Sequence, residues 1–280
     1  MGPMKKAAHK KKTSKRKGLV RKISPKQSSK KTVSGVVNIV IPMAGIGRRF
    51  QEAGYTFPKP LIDINGKTMI ELVTENIKPS MPHRFIFICQ REHYTTYDLH
   101  NVLKNATNNN FEIVPIIGQT KGAACTVLCG IAHIDNDQEL IIANSDQLID
   151  FTMDTFIDEA RKKSADGLIL TFQSNHPKWS YARADSTGRV FETAEKKVIS
   201  PHATAGIYYF KQGKDFVAAA QEMIYKDCHY NNEFYVCPVF NELILSGKDI
   251  YIQPIDAGKM HGLGTPEEVK AYLEKKKGKK

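Results

Sequence analysis

Four groups of residues in this chain have types and spacings suited to handling phosphate. The first is Pro42-Met43-Ala44-Gly45-Ile46-Gly47-Arg48-Arg49-Phe50, which follows directly on the apolar, β-branched run Val36–Ile41. Small residues after a strand let backbone N–H groups approach an anion closely, and Arg49 at the same turn adds a cation shaped for phosphate oxygens. The second is Lys59 in Phe57-Pro58-Lys59-Pro60-Leu61, ten residues after Arg49. Prolines on both sides stiffen the backbone, and a lysine held in this way can neutralise charge developing on a transferring phosphoryl group. The third is Asn144-Ser145-Asp146, closing the run Leu140–Ala143. A carboxylate at the carboxyl end of a strand faces the same crevice as the glycine loop, and its hard oxygens suit Mg2+. The fourth is Glu195-Lys196, an adjacent anion and cation after another strand-like stretch.

Two familiar phosphate motifs are excluded. A dinucleotide fingerprint needs a glycine three residues after Gly47, where Phe50 stands; Gly66-Lys67-Thr68 would end a P-loop only with a glycine at position 61, which is Leu61. Each group also has a plainer explanation. A tight turn accounts for Gly45-x-Gly47, a surface turn for Lys59, a helix cap for Asp146 and a solvated charge run for Glu195-Lys196. Gln90, ending the run Phe85–Cys89, is a further candidate to touch a nucleotide.

Taken in order, the glycine loop, Arg49 and Pro58-Lys59-Pro60-Leu61 resemble the signature of the sugar-phosphate nucleotidyltransferases, among them the glucose-1-phosphate thymidylyl- and uridylyltransferases. The resemblance spans about residues 37–275 and is nearest to the subgroup found with capsule and surface-polysaccharide genes. It implies an α/β, three-layer Rossmann-like fold of the GT-A-like kind with a mostly parallel mixed sheet. It implies that Ala44, Gly45, Gly47 and Arg49 hold a triphosphate, that Lys59 acts at the α-phosphate and that Asp146 binds Mg2+. Gly122, in Gly118-Gln119-Thr120-Lys121-Gly122-Ala123-Ala124, matches the segment where a small residue lets the nucleobase approach. Glu195 would bond sugar hydroxyls and Lys196 would pair with the acceptor phosphate. Gly206, in Thr204-Ala205-Gly206, and Asn232–Tyr235 would line the acceptor pocket beneath a loop of His176–Trp179. Two positions depart from the pattern. Lys197 replaces a proline after Glu195-Lys196, and Gly262 stands where the family carries its second metal carboxylate. That second ligand is therefore either phosphate and water around Asp146, or Asp256. The implied reaction joins an NTP to a sugar 1-phosphate, or a similar phosphometabolite, with release of pyrophosphate. Neither the base nor the acceptor is legible.

Such a site needs strand ends to hold it. Apolar runs recur at Phe85–Cys89, Glu112–Ile117, Leu140–Ala143, Leu168–Phe172, Gly206–Phe210 and Ile250–Gln253. Helical patterns fall between them at Thr68–Ile77, Lys121–Ile134 (with Thr120 as its N-cap), Thr152–Lys163, Lys214–Tyr225, Asn232–Leu245 and Pro266–Lys275. This alternation predicts a largely parallel sheet covered on both faces, in one domain spanning 36–275.

The charge is concentrated at the ends. Of 41 lysines and arginines, 13 lie in the first 36 residues, which contain no Asp or Glu, so the remainder carries 28 basic against 29 acidic residues. Residues 1–35 bury too little apolar surface to fold and read as a disordered basic tail, a tether for a polyanion or a localisation signal. Residues 276–280 read as a second, shorter basic tail. Five cysteines without a CxxC pair read as plain buried thiols in a reducing compartment. The absence of a long apolar run or a signal h-region predicts a cytoplasmic protein without membrane contact, or a nuclear one if the basic tail is read as an address. Two other functions compete. A GT-A-type glycosyltransferase would use an Asp-x-Asp pair, but Asp146 is followed by Gln147 and Leu148. A nucleic-acid-associated protein with an inactive body would work through its tail.

Overall fold

The computed structural model describes residues 1–2 and 35–277. The chain divides at Gly35. The basic stretch before that point and residues 278–280, with the expectations attached to both, lie outside the described residues apart from positions 1, 2 and 35.

The body begins with β1 (Val37–Pro42), followed by the glycine loop, α1 (Arg48–Glu52), a 3-10 turn at Lys59–Leu61 and α2 (Met69–Asn76). Then come β2 (His83–Gln90), α3 (Arg91–Thr96), α4 (Leu99–Thr107), β3 (Phe111–Ile116), α5 (Ala123–Leu128) and α6 (Ile131–Ile134). The middle of the chain forms β4 (Leu140–Ala143), β5 (Gln147–Ile149), α7 (Met153–Lys162), β6 (Gly167–Gln173), β7 (Tyr181–Ala184), β8 (Val190–Ala194) and β9 (His202–Phe210). It closes with α8 (Gly213–Tyr225), α9 (Val236–Leu245), β10 (Ile250–Ile255), β11 (Met260–Gly262) and α10 (Pro266–Lys277).

The large sheet runs β10-β6-β9-β4-β1-β2-β3, with the β7–β8 hairpin attached at β9. Every pairing along that path is parallel except those of β9, which lies antiparallel to both β4 and β6. This is the α/β fold with a mostly parallel mixed sheet that the sequence implies. Its central strands are apolar at both parities because both faces are covered. Ile39, Ile41, Phe85 and Phe87 face one core with Met69 of α2, Leu103 of α4 and Phe156 of α7. Val40, Ile86 and Ile88 face the other with Ala124 of α5, Phe216 of α8 and Phe240 of α9. The result is three layers, with β1, β2 and β4 side by side and their carboxyl ends at one edge.

Several local expectations differ from the structure. The single helix over 121–134 is two, broken at Gly130, where an added Cβ would lie 3.2 Å from Ile88 Cδ1. Thr120 does not cap it. Gly122 takes the N-cap position, and the Thr120 hydroxyl donates to the Gly122 carbonyl at 3.1 Å. The helix expected from Asn232 starts at Val236, because Asn231 and Asn232 turn left-handed, with φ of 47° and 63°. The last helix continues to Lys277, two residues into the stretch read as a tail. All five cysteines are free thiols, but only Cys89 and Cys237 are buried, whereas Cys129 and Cys228 are exposed. No helix among the described residues is long and apolar enough to cross a membrane.

Candidate active site

β1 ends in the glycine loop, and Gly47 holds that loop tightly against the Pro-Lys-Pro turn. Its φ is +64°, and a Cβ there would lie 2.9 Å from Lys59 Cβ, so glycine is required for conformation and for space. Lys59 is thereby carried to the end of β4, where its ammonium pairs with Asp146 Oδ2. Gln90, at the end of β2, donates from Nε2 to the carbonyls of Ala44 (2.7 Å) and Gly118 (2.8 Å). The three neighbouring parallel strands thus deliver one connected rim.

The opposite wall comes from β9 and the hairpin beside it. Gly206, with φ +66°, lies so close to Asn144 and Gln147 that a Cβ would fall 2.3 Å from Asn144 Nδ2 and 2.5 Å from Gln147 Nε2. Glu195 follows β8 and is 8% exposed. Burial pushes its carboxyl up, partly offset by the Ser180 hydroxyl that donates to it and by Lys196. Lys196 donates from Nζ to the Tyr235 hydroxyl at 2.9 Å, which in turn donates to Glu233 at 2.5 Å. Burial and Glu233 push Tyr235 well above the usual phenol range, so it remains a hydroxyl.

The resemblance points to position 262 in the third wall; the ribbon that builds the wall is not legible in the sequence. β5 pairs antiparallel with β11 in a separate two-stranded ribbon, Gln147 opposite Gly262, and the Leu263 N–H donates to the Asp146 carbonyl at 2.7 Å. This ribbon brings Gly262, Gly264 and Glu268 of α10 to Asp146. Between the walls lies a cleft of about 380 Å³. Arg49, Lys59, Asp146, Glu195, Lys196 and Gly206 all line it, together with Lys178 and Trp179 of the expected covering loop.

The cleft thus sets cations and a carboxylate from the β1, β2 and β4 side against a second polar wall. The family model described as nucleotidyl transferase matches residues 38–234. The chain belongs to the nucleotidyl transferase family. Solved structures agree with the assignment. A nucleoside-diphosphate-sugar pyrophosphorylase from Vibrio cholerae RC9 is 28% identical, with 84% of this chain and 99% of that one covered at a TM-score of 0.73. A UDP-glucose pyrophosphorylase in complex with UDP-glucose shares the fold at 19% identity, 88% and 100% coverage and a TM-score of 0.72. So does the inositol-1-phosphate CTP transferase of T. maritima, at 11% identity, 85% and 94% coverage and a TM-score of 0.68. No curated protein sequence matches the chain.

Within this nucleotidyl transferase, some expected residues sit elsewhere than expected. Gly122 does not line the cleft. A Cβ there would lie 2.5 Å from the Phe234 carbonyl oxygen, so its smallness serves packing against the 232–235 segment. Asp256 is exposed, caps the 3-10 turn Ala257–Lys259 by accepting from the Gly258 N–H at 3.4 Å, and is not among the described residues that line the cleft. Ala44, Gly45, Gly47 and Gln90 shape the glycine loop without lining the cleft. Of the 232–235 segment, only Tyr235 reaches it. Sequence reasoning missed Ser180, Gln147 and Glu268. Glu268 had a signal, the Thr265-x-x-Glu268 spacing of a capping box.

Proposed function

We propose that this nucleotidyl transferase joins an NTP to the phosphate of a small phosphorylated acceptor, with a sugar 1-phosphate as the first choice, and releases pyrophosphate. An acceptor phosphate oxygen attacks the α-phosphorus, the new P–O bond forms as the bond to the β-phosphate oxygen breaks, and the electron pair leaves on pyrophosphate. The nucleophile is already ionised at neutral pH, so no general base is needed, and positioning with charge neutralisation supplies the rate. The observation that carries this reading is the single cleft that joins Arg49, Lys59 and Asp146 on one wall to Glu195, Lys196 and Tyr235 on the other.

In this scheme Arg49 and the backbone of the glycine loop bind the triphosphate. Lys59 turns from Asp146 to the α-phosphate. Lys196 meets the acceptor phosphate, and Glu195 orients its hydroxyls. The residues also fit Mg2+. Asp146 offers hard oxygens and already faces a cation in the Lys59 ammonium. Gln147 Nε2, buried where it lines the cleft, has no hydrogen-bond partner among the described residues and suits a phosphate oxygen that such an ion would share. Such an ion would spread the charge of the α-phosphate. The likeness to nucleotide-sugar pyrophosphorylases and the sequence motifs both support an activated sugar as product, and the motifs alone support a place for it in surface-polysaccharide synthesis.

The test is pyrophosphate release with Mg2+ from each ribo-NTP and dTTP against a panel of sugar 1-phosphates and other phosphometabolites. Release that requires one acceptor is expected. Turnover of a nucleotide sugar in place of release would overturn the reading in favour of a glycosyltransferase. With the active pair in hand, Lys59→Ala and Asp146→Ala should each lose about a hundredfold or more in kcat, with unchanged circular dichroism.

A further inference from the structure

Asp146 is one carboxylate at the end of β4. A second borders the same space. A Cβ placed on Gly264 would be 3.0 Å from Asp146 Oδ2 and 3.3 Å from Glu268 Oε2, so an oxygen of each carboxylate lies against the same small volume beside Gly264. Glu268 also fills the space beside Gly262, where a Cβ would meet its Cδ at 2.9 Å and both its oxygens at 3.0 Å. Position 262 therefore has no room for a side chain while Glu268 is in place.

Each of the two carboxylates is held by its own ammonium. Lys59 pairs with Asp146, and Lys178 Nζ donates to Glu268 Oε1 at 2.7 Å. Both lysines line the cleft and have phosphate oxygens as alternative partners there. Gln147 lies in the same cleft, 5% exposed and with its Nε2 unpartnered. A buried N–H donor without a partner among the described residues points to an acceptor bound in that space, as a phosphate oxygen beside the two carboxylates would be. Among the described residues no cluster of three or more His, Cys, Asp or Glu side chains competes for a cation. Mg2+ is commonly held by one or two carboxylates, with phosphate and water completing its shell.

Resting on the nucleotidyl transfer reading, we propose that Glu268 supplies the second carboxylate of a divalent-cation site whose first carboxylate is Asp146. Phosphates entering the cleft draw Lys59 and Lys178 to themselves, and the cation takes the place of both ammonium groups. The net charge of the pair of walls is thereby conserved. Glu268 has a structural use as well, since its Oε2 accepts from the Gly264 N–H at 2.9 Å and its N–H donates to Thr265 Oγ1 at 3.2 Å at the start of α10. Gln in its place keeps the acceptor and loses the charge, which separates the two roles.

The experiment is a titration of the full chain with Mn2+ alone, followed by the loss of the free-ion EPR signal and by emission from Trp179. Trp179 is the only tryptophan, and Lys178 Nζ lies 4.3 Å from its ring centroid, so release of Lys178 from Glu268 reaches the fluorophore. Wild type is expected to hold one Mn2+ that Mg2+ displaces. Asp146→Asn and Glu268→Gln should each weaken it by at least about tenfold at unchanged Tm, with Asp256→Asn without effect. Glu268→Ala should lose the site and the double variant Glu268→Ala with Gly262→Asp should regain it, because the space at 262 is then open. Wild-type affinity in Glu268→Gln, or no saturable Mn2+ in wild type, would overturn the proposal. Neither result depends on turnover, so a failure to find the acceptor leaves this test standing, and a working transferase with a Glu268-independent metal defeats it alone.

Discussion

At the level of single residues, the cleft is governed by where charge is paired and where backbone leaves no room. Gly47 illustrates the second. Any L-residue there must hold φ +64° and displace Lys59, whose Cβ is 2.9 Å from the added carbon. The left-handed conformation costs about 1–2 kcal/mol. On the role proposed for Lys59, its displacement would also cost activity. Gly47→Ala is therefore expected to lower kcat about tenfold or more, beyond what its small fall in Tm explains. Glu195 illustrates the first. Its folded form binds its proton more tightly than a free carboxyl does, so the carboxyl destabilises the fold once pH rises through the raised value. Glu195→Gln should raise Tm at pH 8, and the gain should disappear as pH falls to the ordinary carboxyl range near 4.5. A thermal melt at both pH values checks the sign. An equal gain at both would mean that burial of the charge is not the cause.

At the level of elements, α2 is held by a capping box. The Glu71 N–H donates to Thr68 Oγ1 at 3.4 Å, and the Thr68 N–H donates to Glu71 Oε2 at 2.8 Å. Thr68→Ala should cost about 1 kcal/mol in urea unfolding and leave kcat unchanged, since this end of the helix is outside the cleft. The elements that were legible in the sequence are those whose environment is uniform along their length. β1, β2 and β4 are buried on both faces, which forces continuous apolar runs, and the residues at their ends could be placed in one crevice from that alone. α4 carries apolar residues at 99, 102, 103 and 106, a helical spacing hidden among polar neighbours. β5 and β11 have three residues each, too few to show a period, and their pairing joins positions more than a hundred apart. Glu268 was missed for the same reason: only that pairing brings it to Asp146. The wall opposite Asp146 was readable by resemblance at Glu195 and Lys196, but not at Ser180, held to β9 by the Thr204 N–H, or at Gln147, packed against Gly206 of β9.

At the level of the whole molecule, the basic ends and the near-neutral body separate by composition. The 13 cations of the first 36 residues are all outside the sequence span Arg49–Glu268 that contributes the described lining of the cleft. Removal of residues 1–34 is expected to leave pyrophosphate release within about twofold of the full chain. Binding to heparin, if carried by those cations, should fall with salt in the full chain and vanish in the shortened one. A loss of turnover on truncation would instead give the tail a part in catalysis.

The two-stranded ribbon of β5 and β11 has a consequence for the order in which the protein becomes competent. Every strand of the large sheet is complete by Ile255, yet Met260, Gly262, Gly264 and Glu268 all line the cleft. A chain emerging from the ribosome can thus assemble its sheet and the core under α5, α8 and α9 while one wall of the cleft, and the Leu263 and Val269 side of the other core, are still unmade. A fragment that stops before β11 would carry the glycine loop, Lys59 and Asp146 and still lack that wall, so prematurely ended chains are expected to be silent rather than uncontrolled catalysts.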